Sequence, residues 1–154
     1  MLKYKKNNSV KFGILGLGRV VEKRVYEVFS KELTTAKVVA VFDKNKKKNK
    51  KFSSLFKCKP AKSLKDFLRR DIDIVYIATE SGNHAKHIKK CFDANKNVIV
   101  EKPPVLRVDQ LVNLQKIALK KKLLFYVIFQ NRLNKSTVFV KKFLTHKLKK
   151  KIIF

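Results

Sequence analysis

Residues 10–21 read VKFGILGLGRVV, a short apolar run that is broken by the turn Gly16-Leu17-Gly18. The run predicts a buried strand, and the segment from Arg19 to Ser30 predicts a helix. Apolar side chains follow at helical spacing within that segment, at Val21, Val25, Val28 and Phe29. A second apolar run from Val38 to Phe42 is closed by Asp43. This order of strand, glycine turn, helix, strand and acid is typical of the first unit of a parallel sheet.

The glycine turn has the chemistry of a phosphate site. A glycine at its first position allows a tight reversal, and one at its second lets the backbone approach a pyrophosphate at the N-terminus of the next helix. Asp43 follows at about the 20-residue distance of a carboxylate that accepts ribose hydroxyls. The motif is incomplete because Val21 occupies its third small position, and an ordinary strand-to-helix turn is the alternative. The flanking elements favour dinucleotide binding.

The chain beyond Asp43 alternates apolar runs with amphipathic segments. Lys44 to Ser54 has almost no apolar content and reads as a solvated loop or a frayed helix. Ser63 fits an N-cap position, and Asn95 ends the helix that follows a polar turn at Thr79–Asn83. The other predicted strands are Leu55–Cys58, Ile72–Ala78, Val98–Val100 and Leu123–Phe129, and Val108–Lys121 is a further helix. Because hairpin signals are missing, the predicted fold class is α/β, a doubly wound parallel sheet of the Rossmann type.

Length and composition allow one domain with a real core, since 45% of the 154 residues are hydrophobic. We expect a basic tail at residues 1–9 and a dinucleotide-binding domain at residues 10–131. Residues 132–154 predict a linker helix, Ser136–Lys150, and the start of an incomplete second domain, with a strand beginning at Lys151–Phe154. No apolar segment has the length of a membrane span, and the tail lacks the apolar core of a secretory signal. A cytoplasmic location is therefore the default expectation.

The formal net charge of +28 is the most unusual bulk property of the chain. A basic patch that follows phosphates is one explanation, with Lys44–Lys51 and Lys147–Lys151 as its densest runs. The lysines are spread along the entire chain, however, which favours a compositional bias on solvated faces. We expect nonspecific adhesion to nucleic acid and no specific nucleic-acid partner.

The cysteines and histidines do not form a metal-binding pattern. Cys58 and Cys91 are far apart and predict buried free thiols. His84 and His87 could share a helix face, but no further ligands join them or His146. The sequence therefore predicts no metal site.

Ligands of doubly wound sheets bind beyond the carboxyl ends of the strands. The polar segments with that position are Gly16–Arg19, Asp43, Thr79–His84, Glu101–Pro103 and Gln130–Asn131. In order and spacing, these motifs resemble the glucose-fructose oxidoreductase, inositol dehydrogenase and MocA family (Gfo/Idh/MocA) over nearly the entire chain. Glu101-Lys102-Pro103 after a buried strand is the most specific mark. The sequences around Thr79 and Gln130 resemble members that oxidise nucleotide-linked sugars.

The resemblance implies an NAD(P)-dependent oxidoreductase that transfers a hydride between a nicotinamide cofactor and a hydroxyl of a sugar or nucleotide sugar. NAD is favoured over NADP because Asp43 would repel a 2′-phosphate, although Lys44 and Lys46–Lys48 could offset that repulsion. The implied cofactor-binding residues are Gly16, Gly18, Arg19, Val20, Asp43, Thr79, Glu80, His84, Glu101, Lys102 and Pro103. The implied substrate-binding residues are Lys102, Gln130 and Asn131.

Lys102 is the implied catalytic residue. Oxidation of a secondary alcohol removes the hydroxyl proton, and an ammonium group can orient that oxygen and stabilise negative charge on it. One more surface lysine in a lysine-rich chain is the alternative, and the flanking Glu101 and Pro103 favour the active-site role. For His84, which would border the nicotinamide half, the alternative is a histidine that caps or packs near a helix start.

Members of the family continue into a second domain that supplies most substrate contacts and the oligomer interface. We therefore expect a homo-oligomer only where that domain is present. The isolated chain is expected to bind cofactor better than it turns over substrate. The alternative hypothesis is a non-catalytic dinucleotide-binding module, or a truncated inactive fragment with nonspecific nucleic-acid affinity.

Overall fold

The computed structural model of the chain describes residues 9–32 and 34–148. Six parallel strands form one sheet in the order β3-β2-β1-β4-β5-β6. Their bounds are β1 Val10–Leu15, β2 Ala36–Phe42, β3 Lys59–Pro60, β4 Ile74–Ile77, β5 Asn97–Val100 and β6 Phe125–Val127. The chain runs outward from β1 to one edge and then builds the other half from β4. The boundary between β1 and β4 is therefore the topological switch point, where ligands of such sheets bind.

Helices connect the strands. The first helix, between β1 and β2, is mostly π-helical, with segments Val21–Val25 and Val28–Glu32. The others are α1 Lys46–Leu55, α2 Leu64–Arg69, α3 Ser81–Asp93, α4 Val108–Lys121 and α5 Lys135–Leu148, with a 3₁₀ turn at Gln130–Leu133. The predicted α/β class and doubly wound parallel sheet are confirmed.

The core has two layers because successive strand residues point to opposite faces of the sheet. Ile14 belongs to the cluster beneath the first helix and α1, whereas its neighbour Leu15 belongs to the cluster beneath α2, α3 and α4. The largest fully buried side chains of the second cluster are Phe67, Phe92, Ile77 and Ile88. Both faces of the sheet are covered, as a parallel sheet requires.

Several element boundaries follow local signals in the sequence. Helix α4 has the predicted bounds, and the Ser63 side chain caps α2 by accepting the Asp66 N–H. Asn95 ends α3 with a positive φ of 54°, as predicted for a residue that tolerates the left-handed conformation. Val21, the large residue at the third position of the glycine motif, is fully buried under the first helix.

Other predicted elements were wrong. Leu55–Cys58 is not a strand, because Leu55 is the last residue of α1 and β3 follows at Lys59–Pro60. For Lys44–Ser54, the helix alternative was right and the loop alternative was wrong; the helix is regular, since the Asn45 side chain accepts the N–H groups of Lys47 and Lys48 and Phe52 is buried. The polar turn predicted at Thr79–Asn83 is shorter, because α3 begins at Ser81.

The C-terminal part of the described chain is helical. Helix α5 starts at Lys135 and is described to Leu148, in agreement with the predicted linker helix. The basic tail, apart from Ser9, and the predicted strand start at Lys151–Phe154 lie outside the described residues. None of the helices within the described residues combines the length and the apolar composition of a membrane span.

Candidate cofactor and active site

A cavity of about 280 Å³ opens at the carboxyl ends of β1, β2 and β4, beside the switch point. We call it the cleft. It is lined by Leu15, Gly16, Gly18, Phe42, Asp43, Lys44, Lys48, Leu64, Ala78, Thr79, Glu80, Asn83 and His87. Five of the predicted cofactor-binding residues thus meet in one place: Gly16, Gly18, Asp43, Thr79 and Glu80.

The glycine turn forms the floor of the cleft. Gly16 has a φ of +90°, and a Cβ on it would lie 2.7 Å from backbone atoms of Ala78 and Thr79. Only glycine therefore fits there without strain. A Cβ on Gly18 would meet no atom within 4 Å, so open space lies above the turn. The first N–H groups of the helix that begins here lack an intrahelical partner, which makes this end a suitable anion site.

Asp43 is held rigidly between the glycine turn and α1. Its carboxylate accepts the Leu17 N–H at 2.8 Å and the Asn45 N–H at 2.8 Å. Asn49 accepts the Asp43 N–H at 2.6 Å and donates to the Asp43 carbonyl at 2.8 Å. Each carboxylate oxygen keeps a lone pair for a ligand hydroxyl, since it can accept two hydrogen bonds. The carboxylate is therefore fixed at the cleft without being saturated.

Asn49 was not predicted as a functional residue. It is 8% exposed within a run of solvated lysines. Its only signal in the sequence is that it is the one uncharged residue between Lys46 and Lys51. A short amide that faces inward can satisfy both backbone groups of Asp43.

The opposite wall of the cleft is built by the start of α3. The Thr79 Oγ1 lies 3.0 Å from the His87 Nδ1, and the Asn83 amide donates to Glu80 at 3.2 Å. Burial lowers the pKa of His87 below the ordinary 6.5, and the positive charge of Lys90 adds to that effect. The His87 side chain in this wall is therefore uncharged near neutral pH. Sequence reasoning included Asn83 only as part of the candidate segment Thr79–His84 and missed the cleft position of His87, one helical turn further on.

The turn that carries Lys102 follows β5. The Glu101 N–H donates to the Ile77 carbonyl at 2.9 Å, and the Glu101 carboxylate accepts the Tyr76 hydroxyl. Burial, together with the Glu101 charge, raises the pKa of Tyr76. Lys102 and Pro103 are exposed at the end of β5 and do not line the cleft, and the bond between them is cis. Tyr76 was not predicted as a functional residue. The sequence pointed to it only in that a phenol lies in an otherwise aliphatic buried strand, where a hydroxyl needs a partner.

His84 does not line the cleft. It is 1% exposed, with its Nδ1 2.7 Å from the Pro103 carbonyl and its Nε2 2.9 Å from the Thr79 carbonyl. Its ring therefore joins the two turns that follow β4 and β5. Contact between His84 and a nicotinamide stays a prediction.

The remaining predicted site residues lie outside the cleft lining. Arg19 is exposed and Val20 half-buried at the start of the first helix, next to Gly18. Gln130 and Asn131 are exposed in the 3₁₀ turn after β6. Their roles toward pyrophosphate and substrate stay predictions.

Metal ligands are not assembled in the part of the chain that the structure describes, where no group of three His, Cys, Asp or Glu side chains could hold an ion. The predicted free thiols are confirmed, with Cys91 buried and Cys58 partly buried. Burial raises the pKa of Cys91 to about 12 and that of Cys58 to about 11. Both thiols are therefore poor nucleophiles near neutral pH.

Strand order, glycine turn and fixed acid define a dinucleotide-binding α/β domain of the Rossmann class. A model of the oxidoreductase family with an NAD-binding Rossmann fold (GFO_IDH_MocA) matches residues 10–129. The chain belongs to this Gfo/Idh/MocA family, as the resemblance indicated, and the matched part is its NAD-binding Rossmann domain.

Relatives of this chain include reductases and dehydrogenases of nucleotide sugars. A dTDP-3,4-didehydro-2,6-dideoxy-alpha-D-glucose 3-reductase from Saccharopolyspora spinosa is 31% identical over 116 residues, which are 75% of this chain and 35% of the relative. An enzyme of the same name from Actinomadura kijaniata is 28% identical over 97 residues, which are 62% of this chain and 29% of that protein. The chain thus spans about a third of the length of these curated relatives.

Among solved structures, the WlbA dehydrogenase from Bordetella pertussis, in complex with NADH and UDP-GlcNAcA, has a TM-score of 0.85 and 25% identity. The match covers 91% of this chain and 40% of that chain. A 3-ketoreductase from Actinomadura kijaniata, KijD10, in complex with NADP and TDP-benzene, has a TM-score of 0.84 at 24% identity and shows the shared fold.

Proposed function

We propose that this chain binds NAD(H) in the cleft and across the switch point, as the cofactor domain of an oxidoreductase that acts on a sugar or nucleotide sugar. The observation that carries the proposal is the glycine turn, where Gly16 packs against backbone and open space lies at Gly18. The fixed carboxylate of Asp43 adjoins this turn through its bond to Leu17. Together they form a cradle of the shape and polarity that a nucleotide diphosphate requires.

The proposed contacts follow the direction from adenosine to nicotinamide. The ribose hydroxyls of the adenosine would donate to Asp43, and the pyrophosphate would contact Gly16, Gly18, Arg19 and Val20. The nicotinamide half would extend past Thr79 and Glu80 toward Glu101 and Pro103. The cleft volume of about 280 Å³ fits part of a dinucleotide, which agrees with a ligand that continues beyond it.

Lys102 is the proposed catalytic residue. Bound NAD(H) would supply the hydride acceptor or donor for the reaction. The exposed ammonium group of Lys102, next to the end of β5, would orient the substrate oxygen and stabilise negative charge on it. Gln130 and Asn131, exposed after the neighbouring β6, would contact the substrate from the same end of the sheet.

The substrate class rests on the relatives. The 31%-identical relative is named as a reductase of a dTDP-linked sugar, and the WlbA dehydrogenase was crystallised with a UDP-linked sugar acid. A nucleotide-linked sugar is therefore the substrate that we propose. Because the chain covers about a third of its curated relatives, further substrate contacts would come from outside the matched domain.

Both coenzymes are compatible with the residues at the adenosine end. Asp43 would repel a 2′-phosphate, which favours NAD. Lys44 and Lys48 line the same cleft and would attract that phosphate. We propose NAD(H) as the preferred cofactor, with NADP(H) as a weaker ligand.

Isothermal titration calorimetry of the 154-residue chain with NADH, NADPH and ADP-ribose tests the proposal. We expect saturable binding of NADH and ADP-ribose and weaker binding of NADPH. Gly18→Val serves as the site variant, because its side chain would fill the space that the pyrophosphate needs. Asn113→Val, at an exposed position of α4 outside the cleft lining, serves as the control. Absence of heat with all three ligands, or equal binding by the Gly18→Val variant, contradicts the proposal.

A further inference from the structure

Two side chains from the β4–α3 unit reach the turn on either side of Lys102. Tyr76 donates its hydroxyl to the Glu101 carboxylate, and the His84 Nδ1 lies 2.7 Å from the Pro103 carbonyl. We propose that Tyr76 and His84 are positioning residues that hold the Glu101–Pro103 turn and thereby set where Lys102 lies. This inference rests on the proposed function, in which that turn adjoins the nicotinamide.

The Tyr76 hydroxyl contributes a hydrogen bond to Glu101 and is not required for packing. The ring lies in the buried cluster beneath the first helix and α1, where a phenylalanine would pack equally well. The hydroxyl ends at the Glu101 carboxylate, and a hydrogen bond to an ionised acceptor is about twice as strong as a neutral one. Because Tyr76 is 8% exposed, water competes little for this bond. The hydroxyl therefore fixes Glu101.

His84 fixes the other side of the turn. Its two ring nitrogens both face backbone carbonyls, of Pro103 and of Thr79, which can only accept hydrogen bonds. A neutral ring supplies one N–H and an imidazolium supplies two, so at least one of these bonds exists in either form. Neither nitrogen is left to exchange a proton with a ligand. The His84 ring thus contacts both the Pro103 and the Thr79 carbonyls, donates to at least one of them, and packs the turn against the cleft wall.

The backbone supplies a third link, because the Glu101 N–H donates to the Ile77 carbonyl. Both neighbours of Lys102 are therefore tied to β4 and α3, while Lys102 itself is exposed between them. A shift of about 1 Å in a catalytic group can lower a rate about a hundredfold. The Lys102 side chain is long and flexible, so the position of its backbone determines the region that its ammonium group can occupy.

A comparison of NADH with ADP-ribose tests the proposal, because ADP-ribose lacks the nicotinamide. We expect Tyr76→Phe to weaken NADH binding about fivefold, the effect of one lost hydrogen bond, and to leave ADP-ribose binding unchanged. The fluorescence increase of NADH on binding should also shrink, since it reports the surroundings of the nicotinamide. Tyr126→Phe, a hydroxyl deletion on the exposed strand β6, is the matched control and should change neither affinity.

Double variants separate positioning from general damage. If Tyr76 acts through Glu101, Tyr76→Phe should have no further effect in a Glu101→Ala background, which lacks the acceptor of the Tyr76 hydroxyl. His84→Gln should also lower NADH affinity selectively; if this variant does not fold, the Tyr76 results decide. Equal NADH and ADP-ribose losses, an unchanged NADH affinity in Tyr76→Phe, or additive effects with Glu101→Ala would overturn the positioning role. Failure of the unmodified chain to bind either ligand would overturn the proposed function itself and the positioning role with it.

Discussion

The cleft and the C-terminal edge of this molecule differ in how far neighbouring residues pack against or hydrogen-bond their side chains. At the cleft, Asp43 makes four hydrogen bonds to neighbouring segments, and Gly16 packs against the backbone of Ala78 and Thr79, directly after β4. At the edge, apolar side chains of β6, the 3₁₀ turn and α5 are exposed, among them Tyr126, Phe129, Leu133, Phe139 and Phe143. Contiguous exposed apolar surface is typical of an interaction site. The cofactor end of the domain is therefore built by residues of this chain. The described residues leave the edge near the proposed substrate residues exposed.

Gly16→Ala should have the largest effect on the cleft. The added Cβ would lie 2.7 Å from backbone atoms at a φ of +90°, and backbone cannot move aside as a flexible side chain can. We expect a loss of about 3 kcal/mol or more in the free energy of unfolding, and loss of NADH binding. Thermal unfolding and calorimetry measure both. Gly82→Ala, where a Cβ meets open space, is the control; a Gly16→Ala variant as stable as this control would refute the close approach.

Asp43→Asn should change cofactor choice more than stability. The amide keeps one acceptor oxygen for the N–H of Leu17 or Asn45 and removes the charge that repels a 2′-phosphate. We expect the preference for NADH over NADPH to fall about tenfold, as the two affinities are measured by calorimetry. Asp109→Asn, at the exposed start of α4, is the matched control. Unchanged discrimination in Asp43→Asn would show that the carboxylate does not face the ribose.

The free energy of unfolding should depend on pH, because the pKa of His87 is lower in the folded chain than in the unfolded chain. Burial lowers the pKa of His87 below 6.5 in the folded state, so the unfolded state takes up a proton first as the pH falls. The stability from His87 is therefore present above pH 6.5 and is lost as the pH falls through 6.5 and the lower folded pKa. Imidazole NMR signals against pH measure the shift, and His87→Gln should flatten that part of the stability profile. A folded pKa at or above 6.5 would contradict the half-buried position of this side chain.

The smallest effect should come from the exposed edge. Phe139 is 68% exposed on α5, so we expect Phe139→Ser to change the free energy of unfolding by less than about 0.5 kcal/mol. Phe92→Ala, which empties a fully buried site, should cost about 3–5 kcal/mol in the same denaturant titration. A large loss in Phe139→Ser would mean that α5 is packed more tightly than the described contacts show.

The sequence predicted those parts of the fold that local chemistry determines. The glycine turn, the acid after β2, the Ser63 cap and the bounds of α4 follow from spacing and from single-residue preferences. The strand expected at Leu55–Cys58 was wrong because Leu55 is the last residue of α1 and Phe56 caps that helix, whose lysine-rich sequence concealed its apolar side. The links from Tyr76 to Glu101 and from His84 to Pro103 join residues 25 and 19 positions apart. Such pairs depend on strand order, which periodicity in one segment does not encode.

The central claim is that a nucleotide diphosphate lies against the start of the first helix, with its ribose on Asp43. Amide NMR spectra of the chain, recorded during a titration with NADH, test it most directly. We predict saturable shifts of the N–H signals of Leu17, Gly18, Arg19 and Val20, together with Asn45, whose N–H is bonded to Asp43. Shifts confined to the solvated lysine faces, with these five signals unchanged, would contradict the account.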